Sequence, residues 1–316
     1  MTPFMRMRER IRNIIRTHEV IYIRVMHGIL MLLSLAAVMR EFPFATGLNH
    51  WWIVLVLSVL GAFMPLSAMA VVIFSFLLLN LFALSGQAAV ALLVMLVFSY
   101  AFCAIYRAKR TYNISAFVVA RMWSVPSVVP MQTALLGDGN EVVTIICGAV
   151  ISFFLHEVHS NAGVLLDTEA AVSIVDFLRE RVISNQLFYT YLIAMTAMFL
   201  VTYALRTRNM NHAWMIAVVG GVSVEFLIML AGYLMQGVRT GISSLLFGNV
   251  FSLLVGVATN YFYRDLDYSR IEKVQFEDDE YYYYVTAVPK IQLAEEKKEV
   301  KMINRVLRES KKGRNK

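Results

Sequence analysis

Long apolar runs broken by short polar connections set the pattern of this chain. They lie at Val20–Met39, Trp51–Phe63, Leu66–Leu84, Ala88–Tyr106, Val142–Leu155, Leu187–Leu205, Ala213–Met235 and Leu245–Tyr263. An α-helix rises 1.5 Å per residue, so runs of about 20 residues cross the ~30 Å of hydrocarbon in a bilayer. The pattern therefore predicts an all-α membrane protein, a polytopic bundle of about eight spans within 20–263. Gly61 and Pro65 mark a tight turn between the second and third runs. The first run has a basic flank like that of a signal peptide but no small-residue cleavage site, and it is read as a retained helix.

Residues 1–19 follow another rule. Phe4, Met7, Ile11 and Ile14 share one helical face, while Arg6, Arg8, Arg10, Arg12 and Arg16 fill the rest. A basic amphipathic helix of this kind suits the surface of an anionic leaflet.

Ile114–Leu136 is apolar enough to enter the bilayer, yet it holds Arg121, Pro126 and Pro130. Proline lacks a backbone donor and clashes with the preceding turn, so the helix should break there. Charge bias decides how the segment is counted. Lys and Arg near span ends favour the cytoplasm, and residues 264–316 hold 13 of the 29 basic residues. A full crossing would put them outside. A re-entrant hairpin that enters and leaves on the cytoplasmic side keeps them inside, with both termini cytoplasmic and the connection 156–186 outside. Within that connection Asp167 is a candidate N-cap, and Ala171, Ile174, Val175, Leu178 and Val182 share one face of an expected amphipathic helix.

After Tyr263 the period changes. Val274 and Phe276, the acidic stretch Glu277–Glu280 and the run Tyr281–Val288 predict a β-hairpin over 271–288. Val300, Ile303 and Leu307 give a short helix within 293–310. An isolated hairpin is marginal in water, so the cytoplasmic tail 264–316 is expected to rest on the bundle, a second copy or a protein partner.

Composition agrees with the pattern. Of 316 residues, 59% are hydrophobic and 16% charged, against roughly 45–50% and about 25% in soluble domains. The net charge of +7 gathers at the ends and in short connections, which points to topology and anionic lipid and away from nucleic acid. Cys103 and Cys147 lie inside separate apolar runs, where a thiol behaves as a small hydrophobe, and neither a disulfide nor a metal site is expected from them.

Few residues carry candidate chemistry. His156, Glu157 and His159 are a weak metal candidate: the metalloprotease pattern needs its second histidine at 160, where Ser160 stands. A polar interface is the alternative. No nucleophile elbow, phosphate-binding loop or dinucleotide fingerprint is present, so no enzyme and no cofactor are expected. Glu225 lies in mid-span among Gly220, Gly221, Ser223 and Gly232. A carboxylate there costs several kcal/mol unless paired, protonated or hydrated, and Arg24, His27 and Arg121 are its candidate partners. Either a structural pair or a group in a solute or proton pathway fits. Broken helices with free backbone groups are used by transporters to hold solutes, which gives Pro126 and Pro130 a functional reading beside that of a kinked span.

The stretch Asp267-Tyr268-Ser269-Arg270, followed by Val274–Val285 and Ala287-Val288-Pro289-Lys290, resembles the tail of uncharacterised multi-pass membrane proteins of Gram-positive anaerobic bacteria. The resemblance implies a bacterial plasma membrane and assigns no functional residue. The function expected is a non-enzymatic, permease-like subunit or anchor in a transport or cell-envelope assembly. The rivals are a self-contained secondary transporter using Glu225 and segment 114–136, and a purely structural scaffold.

Overall fold

The structure, a computed structural model, describes residues 3–166, 173–208, 212–237, 241–263, 272–277 and 282–287. Two units are present, a body over Ile14–Arg264 and a smaller one from the chain ends. The helices are α1 (Pro3–Thr17), α2 (Glu19–Glu41), α3 (Trp51–Gly61), α4 (Leu66–Leu84), α5 (Gly86–Ile105), α6 (Asn113–Met122), α7 (Val128–Leu136), α8 (Val142–Ser160), α9 (Ala162–Leu166), α10 (Ile174–Phe177), α11 (Gln186–Arg206), α12 (Ala213–Met235) and α13 (Ile242–Tyr263).

Among the described residues seven helical segments are long and apolar enough to cross a membrane: α2, α4, α5, Gly139–Ser160 (a 3-10 turn running into α8), α11, α12 and α13. The body exposes large apolar side chains such as Leu55, Val59, Phe98, Leu227 and Phe251, a surface that water does not tolerate but lipid does. The protein is an integral membrane protein. The expected count of eight changes at Trp51–Phe63, which yields an 11-residue helix, roughly 16 Å long. The turn through Gly61 and Pro65 takes the remaining residues. A Cβ on Gly61 would sit 2.7 Å from Met31 Cγ, so glycine is what lets α3 close on α2.

Side-chain contacts define two ends of the body. At one, called apical here, the Asn80 amide oxygen near the end of α4 accepts from Ala45 N (3.3 Å) and Asn49 Nδ2 (3.0 Å), and His159 near the end of α8 meets Glu41 at the end of α2. At the other, called basal, Glu141 before α8 accepts from Lys109 N (2.9 Å) and Arg110 N (3.1 Å).

The segment 114–136 is a helical hairpin with both feet at the basal end. Arg110 donates to Leu136 O (2.7 Å), and Arg206 donates to the carbonyls of Leu135 and Gly137. With 10 and 9 residues, its arms are only about 15 and 14 Å long.

The break is local chemistry. Ser124 takes a left-handed φ of 60°, and Ser124 N and Val125 N donate to Arg121 O and Ala120 O. That is a Schellman ending, usually built on glycine. Pro126 then bars a return to helix at Val125. Pro130 plays a different part from the one expected. It lies in the first turn of α7, where its missing donor would find no partner anyway, so the break belongs to Ser124 and Pro126.

The tip is held from two sides. Arg40 donates to Met122 O (2.6 Å) and stacks on Trp123. On α13, a Cβ at Gly248 would lie 2.9 Å from the Ser124 carbonyl, so only glycine allows this approach. The core around the hairpin includes Phe117, Phe154, Tyr191 and Phe199, with Met131, Leu135 and Val218 nearer its foot.

α8 runs to Ser160, so His156, Glu157 and His159 are helical and the apical connection starts at Asn161. Asp167 lies outside the described residues. The helix expected there begins at Ile174, with the Ser173 hydroxyl accepting from Val175 N, and passes into a π-helical turn over Leu178–Ile183. In the second unit Glu272–Glu277 pairs antiparallel with Tyr282–Ala287. Among the described residues this ladder has no third strand, so pairing alone does not establish the expected hairpin as a folded module. The expected helix 293–310 lies outside the described residues.

Candidate functional site

The hairpin tip, α8, α11, α12 and α13 enclose a cavity of about 370 Å³, within the range of small-molecule sites. Each wall brings a polar group: Arg121, Ser124 and Ser127 from the hairpin, Ser152 and His156 from α8, Tyr191 from α11, Glu225 and Tyr233 from α12, and Ser244 from α13. Met195, Met229, Leu155 and Leu245 supply apolar lining. Helical spacing explains the convergence. Ser152, His156 and His159 recur at steps of four and three on α8, so one face turns all three the same way.

Glu225 is fully buried, and among the described residues neither of its carboxylate oxygens makes a hydrogen bond. Ser127 and Asn249 are its polar neighbours. The Asn249 amide is committed to Leu245 O (3.0 Å), and its own side-chain oxygen is unpartnered. Arg121 places its guanidinium carbon 4.6 Å from the centre of the Tyr191 ring. Among the described residues no carboxylate lies within 4.0 Å of it. Tyr191 and Tyr233 each lie within electrostatic reach of both Arg121 and Glu225. The Tyr191 hydroxyl is 3.4 Å from Ser152 Oγ.

The apical lining is connected differently. Arg40 reaches Glu41 (2.8 Å), and His159 hydrogen-bonds the Glu41 main-chain oxygen through Nδ1 (2.7 Å) while its Nε2 lies 3.3 Å from the Glu41 carboxylate. Met122 O, Arg40, Glu41 and His159 therefore form a polar chain joining the hairpin tip, α2 and α8.

Of the expected residues, Glu225, Arg121, Pro126, His156 and His159 come together around the cavity. Arg24 and His27 do not: Arg24 stacks on Phe63 (5.3 Å) and His27 Nδ1 meets Met64 O (3.0 Å), both at the α3–α4 turn. Their place low on α2, beside that turn, keeps them from Glu225. The metal candidate is divided. His156 lines the cavity while His159 is engaged with Glu41, and among the described residues no three His, Cys, Asp or Glu side chains are placed to hold an ion. Arg6, Arg8, Arg10, Arg12 and Arg16 all lie on α1, with Arg10 and Arg16 exposed.

Sequence reasoning missed Ser127, Tyr191, Tyr233, Ser152 and Glu41. Tyrosine hydroxyls in the middle of apolar runs, and an Arg-Glu pair ending the first run, were the available signals. No protein family, curated protein or solved structure matches the chain.

Proposed function

We propose that this chain is a non-enzymatic transport component of a bacterial plasma membrane, whose body holds a small polar solute in the cavity at the hairpin tip. The observation that carries this reading is Glu225, a wholly buried carboxylate with both oxygens unpartnered, sharing a cavity with Arg121. A structural carboxylate at membrane depth is normally neutralised by a partner, whereas one in a pathway is left for the solute or proton it serves. The broken hairpin supports the same reading, since half-helices ending inside a bundle bring backbone ends to a site.

In this proposal α3 with its turn completes an eighth crossing. The hairpin 113–136 is re-entrant from the cytoplasm, and the basal end, both termini and the tail 264–316 are cytoplasmic. The tail is then free to dock a protein partner, and α1 lies on anionic lipid. A purely structural scaffold would have no use for an unpaired charge facing a void.

The test is water access. Ser244 is exposed and lines the cavity, while both native thiols are buried. A membrane-impermeant maleimide should label Ser244→Cys from outside intact cells and leave the parent unlabelled. Absence of labelling from either face in inverted and right-side-out vesicles would reject an aqueous cavity. Labelling only from inside would reverse the topology.

A further inference from the structure

The cavity presents two groups of opposite charge, Arg121 and Glu225, that among the described residues have no ion-pair partner within 4.0 Å. Glu41, on the apical rim, is already matched by Arg40 and His159, so it offers little to a ligand. Among the described residues Glu225 makes no hydrogen bond, and Arg121 meets Tyr191, with Glu157 in electrostatic reach but no carboxylate within 4.0 Å of its guanidinium. Guanidinium is a planar fork shaped for a carboxylate, and a buried carboxylate with open acceptor positions suits an ammonium donor. Ser127 and the two tyrosines add neutral hydroxyls between them, and the methionines add adaptable apolar surface. A lone anion would neutralise Arg121 and leave Glu225 repelling it. A lone cation would do the reverse. One molecule with both charges satisfies both at once.

Resting on the reading of this cavity as a solute site, we infer that it takes a compact zwitterion of the amino-acid class, carboxylate on Arg121 and ammonium toward Glu225. The volume of about 370 Å³ leaves room for a side chain against Met195, Met229 and Leu245.

The experiment uses the full-length protein in detergent, with maleimide labelling of Ser244→Cys as the readout and the parent as blank. The probes are the individual L-amino acids at millimolar concentration, their N-acetyl derivatives, which keep only the carboxylate, and their amides, which keep only the ammonium. At least one amino acid should slow labelling about 5-fold or more, with both derivatives weaker by about 30-fold or more in half-protecting concentration. That is the loss expected when one partner of a buried charge pair is removed. Glu225→Gln should weaken the amino acid to the level of its N-acetyl derivative, and Arg121→Lys should erase the preference over the amide while keeping the charge that stacks on Tyr191.

Labelling that does not occur defeats the cavity reading itself. Labelling that occurs but is slowed by no amino acid, or equally by a singly charged derivative, overturns the zwitterion and leaves the cavity standing. Discrimination unchanged by Glu225→Gln also overturns it. Calorimetric titration of the protecting amino acid checks that protection is binding.

Discussion

The foot and the tip of the broken hairpin are about 15 Å apart and treat charge in opposite ways. At the foot Glu141, Arg110 and Arg206 all have work within the fold. Glu141, 2% exposed, accepts from two main-chain amides, and Arg110 and Arg206 cap the carbonyls that end α7. The carbonyls are the orphan groups any helix end leaves behind, and side chains satisfy them. At the tip, the carbonyl of Met122 is taken by Arg40, yet among the described residues neither Arg121 nor Glu225 has an opposite charge within 4.0 Å. The contrast separates polar groups that hold the hairpin in place from polar groups that the hairpin is held in place to present.

The largest effect should come from breaking the foot. Glu141→Ala takes the acceptor from two part-buried main-chain amides, each costing up to about 1–3 kcal/mol, so a loss of about 2–4 kcal/mol is expected. Thermal unfolding in detergent and the yield of monodisperse protein measure it. Glu141→Gln keeps one acceptor oxygen and should lose less than half as much. A foot variant of undiminished stability would erase the distinction between the two regions.

Next in size is the clamp on the tip. Gly248→Ala drives a Cβ to within 2.9 Å of the Ser124 carbonyl, and neither backbone can yield without moving a helix. Overpacking of this kind costs about 1–3 kcal/mol. Because the displaced atoms border the cavity, labelling at Ser244→Cys should also change in rate. A stability loss with no such change would mean that the tip does not shape the site.

How far the chain's letters disclosed this arrangement can be judged residue by residue. Apolar run length disclosed α4, α5, α11 and α12 almost to their ends, because lipid imposes one simple constraint on length and polarity. Pro126 disclosed the break, and the side chains at the hairpin's foot bring the segment back to the basal end. Pro130 misled because proline's effect depends on its position within the helical turn, which a composition argument does not resolve. The pairing of Glu225 with Arg24 or His27 misled for a deeper reason. Depth along a helix is legible in a sequence, but which helices are neighbours is not, and α2 meets the hairpin through Arg40 and Leu33 rather than through its basal half. Tyr191 and Tyr233 were hidden by chemistry shared with ordinary interfacial tyrosines.

Glu225→Gln sharpens the contrast through its sign. Removing a buried charge that has no partner relieves a desolvation cost, so the unfolding midpoint should stay or rise by up to about 2 kcal/mol equivalent, while the conservative change Glu141→Gln lowers it. Both substitutions are isosteric exchanges of a buried carboxylate for an amide. If Glu225→Gln instead destabilises by as much as Glu141→Gln, Glu225 belongs with the structural group, and the solute reading loses its main support.

The smallest effect marks the outer limit of the site. Arg24 stacks on Phe63 in the α3–α4 turn, a contact worth about 0.5–1 kcal/mol where it is exposed. Long basic side chains near span ends reach the headgroup region and need no partner in the bundle. Arg24→Gln should therefore cost under about 1 kcal/mol and leave protection of Ser244→Cys unchanged. Arg121→Gln removes the same kind of charge from the hairpin and should abolish that protection. Two arginines that look alike in the sequence, each inside an apolar run, are thus set apart by where the fold carries them. Equal effects of the two substitutions on protection would show that net charge in the membrane, and not the geometry at the tip, governs binding.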